Sequence, residues 1–153
     1  MKETCGIFIY CLDRDRLLIC HSTSSGKMYS IPKGMRDETD SSQLDAAIRE
    51  LKEETNIEFE ELNTKGEILE LPPVVYKSKK KILYSFLVVV ENFLADDLRC
   101  TSFFKDKKGV ERPEIDYFKW ITLKDAATML PLSQIELIPL IQEKINNIKT
   151  IQK

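Results

Sequence analysis

Glu50, Glu53 and Glu54 stand at i, i+3 and i+4. On a helix that spacing puts three carboxylates on one face, where they repel one another. A hard cation with oxygen ligands removes the penalty, and Mg2+ or Mn2+ suits such a donor set. Leu44, Ala47, Ile48 and Leu51 recur at helical spacing in the same stretch and define an apolar face. The segment therefore reads as an amphipathic helix with an acidic side. The competing reading is a solvated charged face with an Arg49–Glu53 pair. Upstream, Pro32-Lys33-Gly34 leads into the helix, and Gly34 lets the backbone come close to a ligand.

Residues 32–57 resemble the signature of the Nudix hydrolases, a glycine loop followed by a helix carrying Arg-Glu-apolar-x-Glu-Glu. The matching residues are Gly34, Arg49, Glu50, Leu51, Lys52, Glu53, Glu54 and Ile57. The resemblance implies that Glu50, Glu53 and Glu54 are metal ligands and that the Lys33 carbonyl helps hold the metal. It also implies that Arg49 orients one glutamate, mainly Glu53, through an i, i+4 pair. The triplet Pro32-Lys33-Gly34 is similar to that of branches cleaving dinucleoside polyphosphates, where the lysine side chain meets phosphate. There are three departures. The loop acid six positions after the glycine is Asp40, not Glu, and it lies one residue too far from Arg49. Either the loop carries an insertion or Ser41 takes the position. Asn56 stands where the family has a glycine; Asn is the next best residue for a left-handed cap.

A second acidic group precedes a strand, in Glu111-Arg112-Pro113-Glu114-Ile115-Asp116-Tyr117-Phe118-Lys119-Trp120. Many Nudix proteins carry a functional glutamate six residues before a tryptophan, and Glu114 has that spacing from Trp120. The resemblance gives it a further metal contact or the role of general base, with Glu111 as competitor. Residues 77–81, KSKKK, form a basic turn between two strand-like runs. Its lysines, Lys81 included, are either a solvated tip or a neutralising wall for polyphosphate. Tyr76 and Tyr84 offer faces for a nucleobase, with core packing the stronger reading for Tyr84. Phe103 or Phe104 either contacts substrate or pins a loop.

The chain of 153 residues, 42% apolar and 31% charged, reads as a single domain, 1–153, with an ordinary core. A net charge of -2 gives no general pull toward nucleic acid or anionic membranes. The first residues lack the pattern of a signal peptide and no run reaches membrane-span length. Cys5, Cys11, Cys20 and Cys100 lack CxxC spacing and read as reduced residues of a cytoplasmic protein. His21 reads as a strand-end residue.

Strands are expected at 4–12, 16–21, 29–32, 65–71, 74–76, 82–91 and 117–121, with 82–91 apolar enough to be buried on both faces. A polar loop covers 22–26, a linker 58–63, and a loop 93–110 that includes Asp96-Asp97. Helices are expected at 123–129 and 133–148, the second capped by Ser133 and kinked at Pro139. This order suggests an α/β (α+β) fold, an α/β/α sandwich around a mixed sheet, as the resemblance also implies. The expected activity is metal-dependent hydrolysis of a phosphoanhydride in a nucleoside diphosphate linked to another group. A dinucleoside polyphosphate leads, followed by nucleotide sugars, ADP-ribose and dinucleotide cofactors. An enzyme acting on RNA 5′ ends and a non-catalytic nucleotide sensor are the alternatives. The expected partner is a small nucleotide, with no membrane, for a monomer or homodimer.

Overall fold

Strand β1 (Lys2–Cys11) carries apolar side chains on both faces, so it can only sit in the middle of a sheet. The computed structural model, which describes residues 1–25, 28–93 and 97–151, places it there. Its ten residues run parallel to β7 (Lys81–Val90), in register from Lys2 opposite Lys81 to Cys11 opposite Val90. On its other edge it pairs antiparallel with β2 (Arg16–Ser22), but only through Tyr10 and Cys11. Toward its start the same edge takes β4 (Lys33–Met35) instead. β1 and β2 therefore splay apart, and β3 (Tyr29–Ser30) and β4 occupy the opening.

β5 (Leu69–Glu70) and β6 (Val74–Val75) pair with β7, and β10 (Ile115–Ile121) closes the far edge on β2. The main sheet order is β10-β2-β1-β7-β5, mixed in direction. Successive residues of β7 alternate between two cores, Leu83, Leu87 and Val89 on one face and Phe86, Val88 and Val90 on the other. Helix α1 (Gln43–Thr55) covers the second face with Ala46, Ala47 and Leu51, all fully buried. The first face is covered by α2 (Leu123–Met129) and α4 (Ile138–Ile151) through Ala126, Ile141 and Ile145. The α/β/α sandwich with a mixed sheet is the expected architecture.

Several expected elements differ. The strand at 65–71 contracts to β5, which Pro72 and Pro73 end; ahead of it Lys65 donates its N–H to the Val89 carbonyl at 2.7 Å without forming a strand. The loop at 93–110 contains β8 (Phe103–Lys105), which pairs with β9 (Glu111–Pro113) in a separate hairpin; Asp96 lies outside the described residues. The loop at 22–26 begins as the end of β2 and a 3-10 turn at Thr23–Ser25, with Gly26 outside the described residues. A 3-10 turn at Phe59–Glu61 sits within the linker. The single helix at 133–148 is two, α3 (Leu132–Ile135) and α4. Ser133 is not a cap: Pro131 precedes α3 without a side-chain cap bond. Pro139 lies in the first turn of α4, where no intrahelical N–H is needed, so the chain breaks before the proline and α4 is not kinked by it.

Candidate functional site

Helix α1 is fixed at both ends by the sequence. Ser42 accepts a bond from the Asp45 amide at the N-cap. Asn56 adopts the left-handed conformation (φ 66°) and donates its N–H to the Lys52 carbonyl. The helix end is tied down again by the 97–102 segment, where Thr101 donates its amide and hydroxyl to the Glu53 carbonyl and the Arg99 amide reaches Thr55. The rotation of α1 that buries Ala47 and Leu51 turns its acidic face toward β4.

There the glutamates diverge in environment. Glu50 and Glu54 are only 8% and 7% exposed, while Glu53 is half-buried. Glu50 lies against Gly34 so closely that a Cβ on that residue would fall 2.0–2.3 Å from its carboxylate atoms. Glu54 accepts the Lys33 backbone N–H at 3.0 Å. Burial pushes the Glu50 carboxyl up to about 7, helped by the charges of Glu53 and Glu114 and opposed by Arg49. Burial likewise pushes Glu54 up to about 8, opposed by the Lys33 amide and side chain and reinforced by Glu50 and Glu114.

Arg49 is the hub of the face. It makes a two-pronged contact with Asp40 (2.9 and 2.8 Å) and donates to Glu50 (3.0 Å), Glu53 (3.1 Å) and the Met35 carbonyl (2.9 Å). The i, i+4 pair with Glu53 is present, but Arg49 holds Glu50 as closely and meets Asp40 with two bonds. Asp40 keeps its charge easily, because the Arg49 guanidinium holds its carboxyl below the ordinary range. The extra loop residue is absorbed by a turn in which the Asp40 amide bonds the Asp37 carbonyl. Ser41 is exposed and takes no part.

Glu114 occupies the bend between β9 and β10. Its backbone is pinned on both sides, by its N–H to Ser102 and by the Thr23 N–H to its carbonyl. Its side chain faces a cavity of about 720 Å³ that Glu54 also lines. Glu111 stays on β9, exposed and opposite Lys105, away from that cavity. Lys33, Tyr76, Lys77, Lys81 and Phe104 complete the part of the lining that the sequence singles out. Tyr84 does not join them; it packs with the α1-side core. Lys79, Lys80 and Phe103 also lie outside the lining. Pro131, Leu132, Ser133 and Glu136 line it unforeseen, since a four-residue helix leaves no periodic signal.

His21, at the end of β2, bonds Asp116 through Nδ1 at 2.6 Å and stacks on Tyr117, as a strand-end residue would. The four cysteines are free and Cys5, Cys11 and Cys20 are buried. Among the described residues, no helix is long and apolar enough to cross a membrane.

The acids are not closed into a cage: among the described residues no three acid, histidine or cysteine side chains surround one point. Their chemistry nevertheless fits a divalent cation. Two nearly buried carboxylates and a third acid share a wall, and the one guanidinium beside them is already divided among Asp40, Glu50 and Glu53. Oxygen donors short of positive charge are what Mg2+ or Mn2+ binds. The closeness of Gly34 gives a direct check. Gly34→Ala should leave the fold intact, because the clash is with the end of one side chain, yet displace Glu50. We expect a melting temperature within a few degrees of wild type and a loss of metal-dependent turnover of about tenfold or more; turnover at the wild-type level would show that the Glu50 position is immaterial.

A model of the NUDIX domain matches residues 3–141, and the chain belongs to this family. It is a hydrolase acting on acid anhydrides, of the Nudix class that cleaves pyrophosphate bonds. An uncharacterized 17.7 kDa protein from the e-segB intergenic region of Enterobacteria phage T4 is 36% identical over 123 residues, covering 76% of this chain and 79% of that protein. Among solved structures, a C. elegans Ap4A hydrolase binary complex superposes with a TM-score of 0.73 at 23% identity, covering 94% of this chain and 98% of the other. The NUDIX domain of Shewanella oneidensis NrtR complexed with ADP ribose gives 0.69 at 17% identity, covering 94% and 87%. Nudix enzymes generally use divalent metal ions, and a Francisella tularensis relative, a bifunctional NMN adenylyltransferase/ADP ribose pyrophosphatase, is solved with AMP and a Mn ion.

Proposed function

We propose that the chain, as the single domain 1–153, hydrolyses a phosphoanhydride bond in a nucleoside diphosphate linked to a second group. A dinucleoside polyphosphate such as diadenosine tetraphosphate leads, ahead of ADP-ribose, nucleotide sugars and dinucleotide cofactors. The observation that carries this is the shared cavity, which Glu54, Glu114, Lys33, Lys77, Lys81 and Tyr76 all line. Acids that want a cation and lysines that want an anion, in one space, suit a metal–polyphosphate substrate.

Glu50, Glu53, Glu54 and the Lys33 carbonyl hold Mg2+, for which Mn2+ can substitute, with Glu114 as a further contact. Once bound, the metal supplies charge neutralisation on the phosphate oxygens and a lowered pKa for a bound water. Lys33 and Lys81 orient the phosphate chain. Glu114, its backbone fixed from both sides, takes the proton of the attacking water. Arg49 is a positioning residue that keeps Glu50 and Glu53 aimed. The walls around Glu54 exclude bulk water and strengthen these charges. Three buried reduced cysteines fit a cytoplasmic setting.

The test is a Mg2+-dependent hydrolysis panel of diadenosine polyphosphates, ADP-ribose, nucleotide sugars, dinucleotide cofactors, nucleoside triphosphates and 5′-triphosphorylated RNA. We expect the highest kcat/KM among the diphosphate-linked small molecules, with a nucleoside phosphate as product. Preference for RNA, with steep salt dependence, would overturn the reading.

A further inference from the structure

Three large apolar side chains that line the cavity stand unusually exposed: Met28 at 53%, Val75 at 49% and Leu132 at 59%. A cluster of exposed apolar groups lining one cavity marks a surface that a ligand covers. Beside them, α3 and its cap present two polar groups on one helical face, Ser133 and Glu136, at i and i+3. Ser133 is 9% exposed, and its hydroxyl has no hydrogen-bond partner, a costly state that a ligand would relieve. The Glu136 carboxylate takes part in no ion pair or side-chain hydrogen bond among the described residues.

A free carboxylate in a cavity that takes polyphosphate cannot face phosphate. It sorts the groups of the ligand: phosphates meet Lys33, Lys77 and Lys81, and a donor-bearing group meets Glu136, all of which line the cavity. A carboxylate accepts with both oxygens and is best met by two adjacent N–H donors. Among the common nucleobases, guanine alone presents two on one edge, N1–H and N2–H. Adenine and cytosine place a ring lone pair beside their amino group, and uracil flanks its single N–H with two carbonyls. Guanine also places its O6 acceptor next to N1–H, within the neighbourhood of the Ser133 hydroxyl.

We infer that Ser133 and Glu136 form a base-reading edge selective for guanine, with Met28, Val75 and Leu132 covering the faces of the ring. The inference rests on the reading of the cavity as a nucleotide site and names the base that it selects. The test uses the whole chain with Mg2+ and the non-hydrolysable α,β-methylene diphosphates of guanosine, inosine, adenosine and 2′-deoxyguanosine, with affinities from calorimetry. We expect guanosine to bind about tenfold or more tighter than adenosine, with inosine, which lacks N2–H, in between. Glu136→Gln should bring guanosine and adenosine within about twofold, and Ser133→Ala should narrow the gap. Equal binding of guanosine and adenosine by the wild type overturns the inference without needing any variant to fold. So does a guanine preference that survives Glu136→Gln, or an affinity set by the 2′-hydroxyl rather than the base. Guanine selectivity in binding, with no turnover of any substrate on the panel, would sink the hydrolase mechanism and leave this edge standing.

Discussion

Glu54→Gln should abolish metal-dependent hydrolysis while making the metal-free protein more stable at alkaline pH. The two effects have one origin. Glu54 is 7% exposed and its carboxyl is raised to about 8 by burial, with Glu50 and Glu114 adding to the rise. A folded-state pKa above the unfolded value means that the folded state holds the proton more tightly. Its contribution is fully present below about 4.5, the unfolded value, and is lost as pH climbs from there through about 8. Glu50, raised to about 7, adds a loss of the same sign over a slightly lower window. The metal-free wild type should therefore melt several degrees lower at pH 8.5 than at pH 5.5, and Mg2+ at pH 8.5 should restore the difference by binding the folded form. Glutamine keeps the shape and can still accept the Lys33 amide, but it carries no charge to bury. The metal-free variant should show a flatter Tm–pH curve and a smaller rise with Mg2+, together with a fall in kcat/KM on the order of a thousandfold. The check is calorimetry across pH with chelator or Mg2+, beside steady-state kinetics. Unchanged turnover removes Glu54 from the metal set. A variant that is inactive but also less stable at pH 8.5 would mean that Glu54 serves the fold.

Most of what positions these groups is legible in the sequence. Periodicity in α1 and β7 reports burial, and burial is what those elements are for: Ala47 and Leu51 on one, Leu83 to Val90 on the other, are core residues in fact. Short elements are different. β4 is three residues placed by its pairing with β1 and by contacts from α1, and α3 is four residues following a proline; neither is long enough to express a period. This is why Ser133 reads as a cap from sequence, since a serine before an apolar run is the usual signal, yet lies inside a turn that Pro131 begins. Tyr84 takes the core place that is its stronger reading, and its role at the base is the one that drops out. An aromatic in a strand can face either layer, and only the parallel register, with Tyr84 opposite Cys5, decides that it faces the α1-side core. Asp40 was ambiguous because spacing counts residues and not distance. The 37–40 turn takes up the additional residue, and Asp40 still reaches Arg49 with both oxygens. The spacing to Trp120 singles out Glu114, and the bend between β9 and β10, which no periodicity announces, is what brings it and not Glu111 to the cavity lining.

Arg49 then becomes the residue whose loss the fold should feel most among the charged ones. Its guanidinium is shared by four acids and a carbonyl, and two of those acids, Asp40 and Glu50, have side chains only 5% and 10% exposed. Arg49→Ala takes the paired cation from both carboxylates, leaving only Arg36, which donates to the Asp40 carbonyl, near Asp40. Breaking such a pair costs more than the pair contributes, because an unpaired charge stays buried. With Arg49 itself 27% exposed, solvent offsets part of the penalty. We expect a loss of roughly 2–4 kcal/mol at pH 8, a drop in Tm of about 5–10 °C. Arg49→Lys should recover little of it. An ammonium on a flexible stem can neutralise one acid, but it cannot span Asp40, Glu50, Glu53 and the Met35 carbonyl at once. Pairing Arg49→Ala with Asp40→Asn removes one stranded charge and should return a measurable part of the stability, giving a coupling energy in a double-mutant cycle. Turnover should not return with it, because Glu50 and Glu53 have still lost the group that aims them. Denaturant melts of the four proteins, with kinetics at saturating Mg2+, separate the two roles. If Asp40→Asn alone lowered turnover as far as Arg49→Ala, the loop acid would take part in the site itself and would not act only through the arginine.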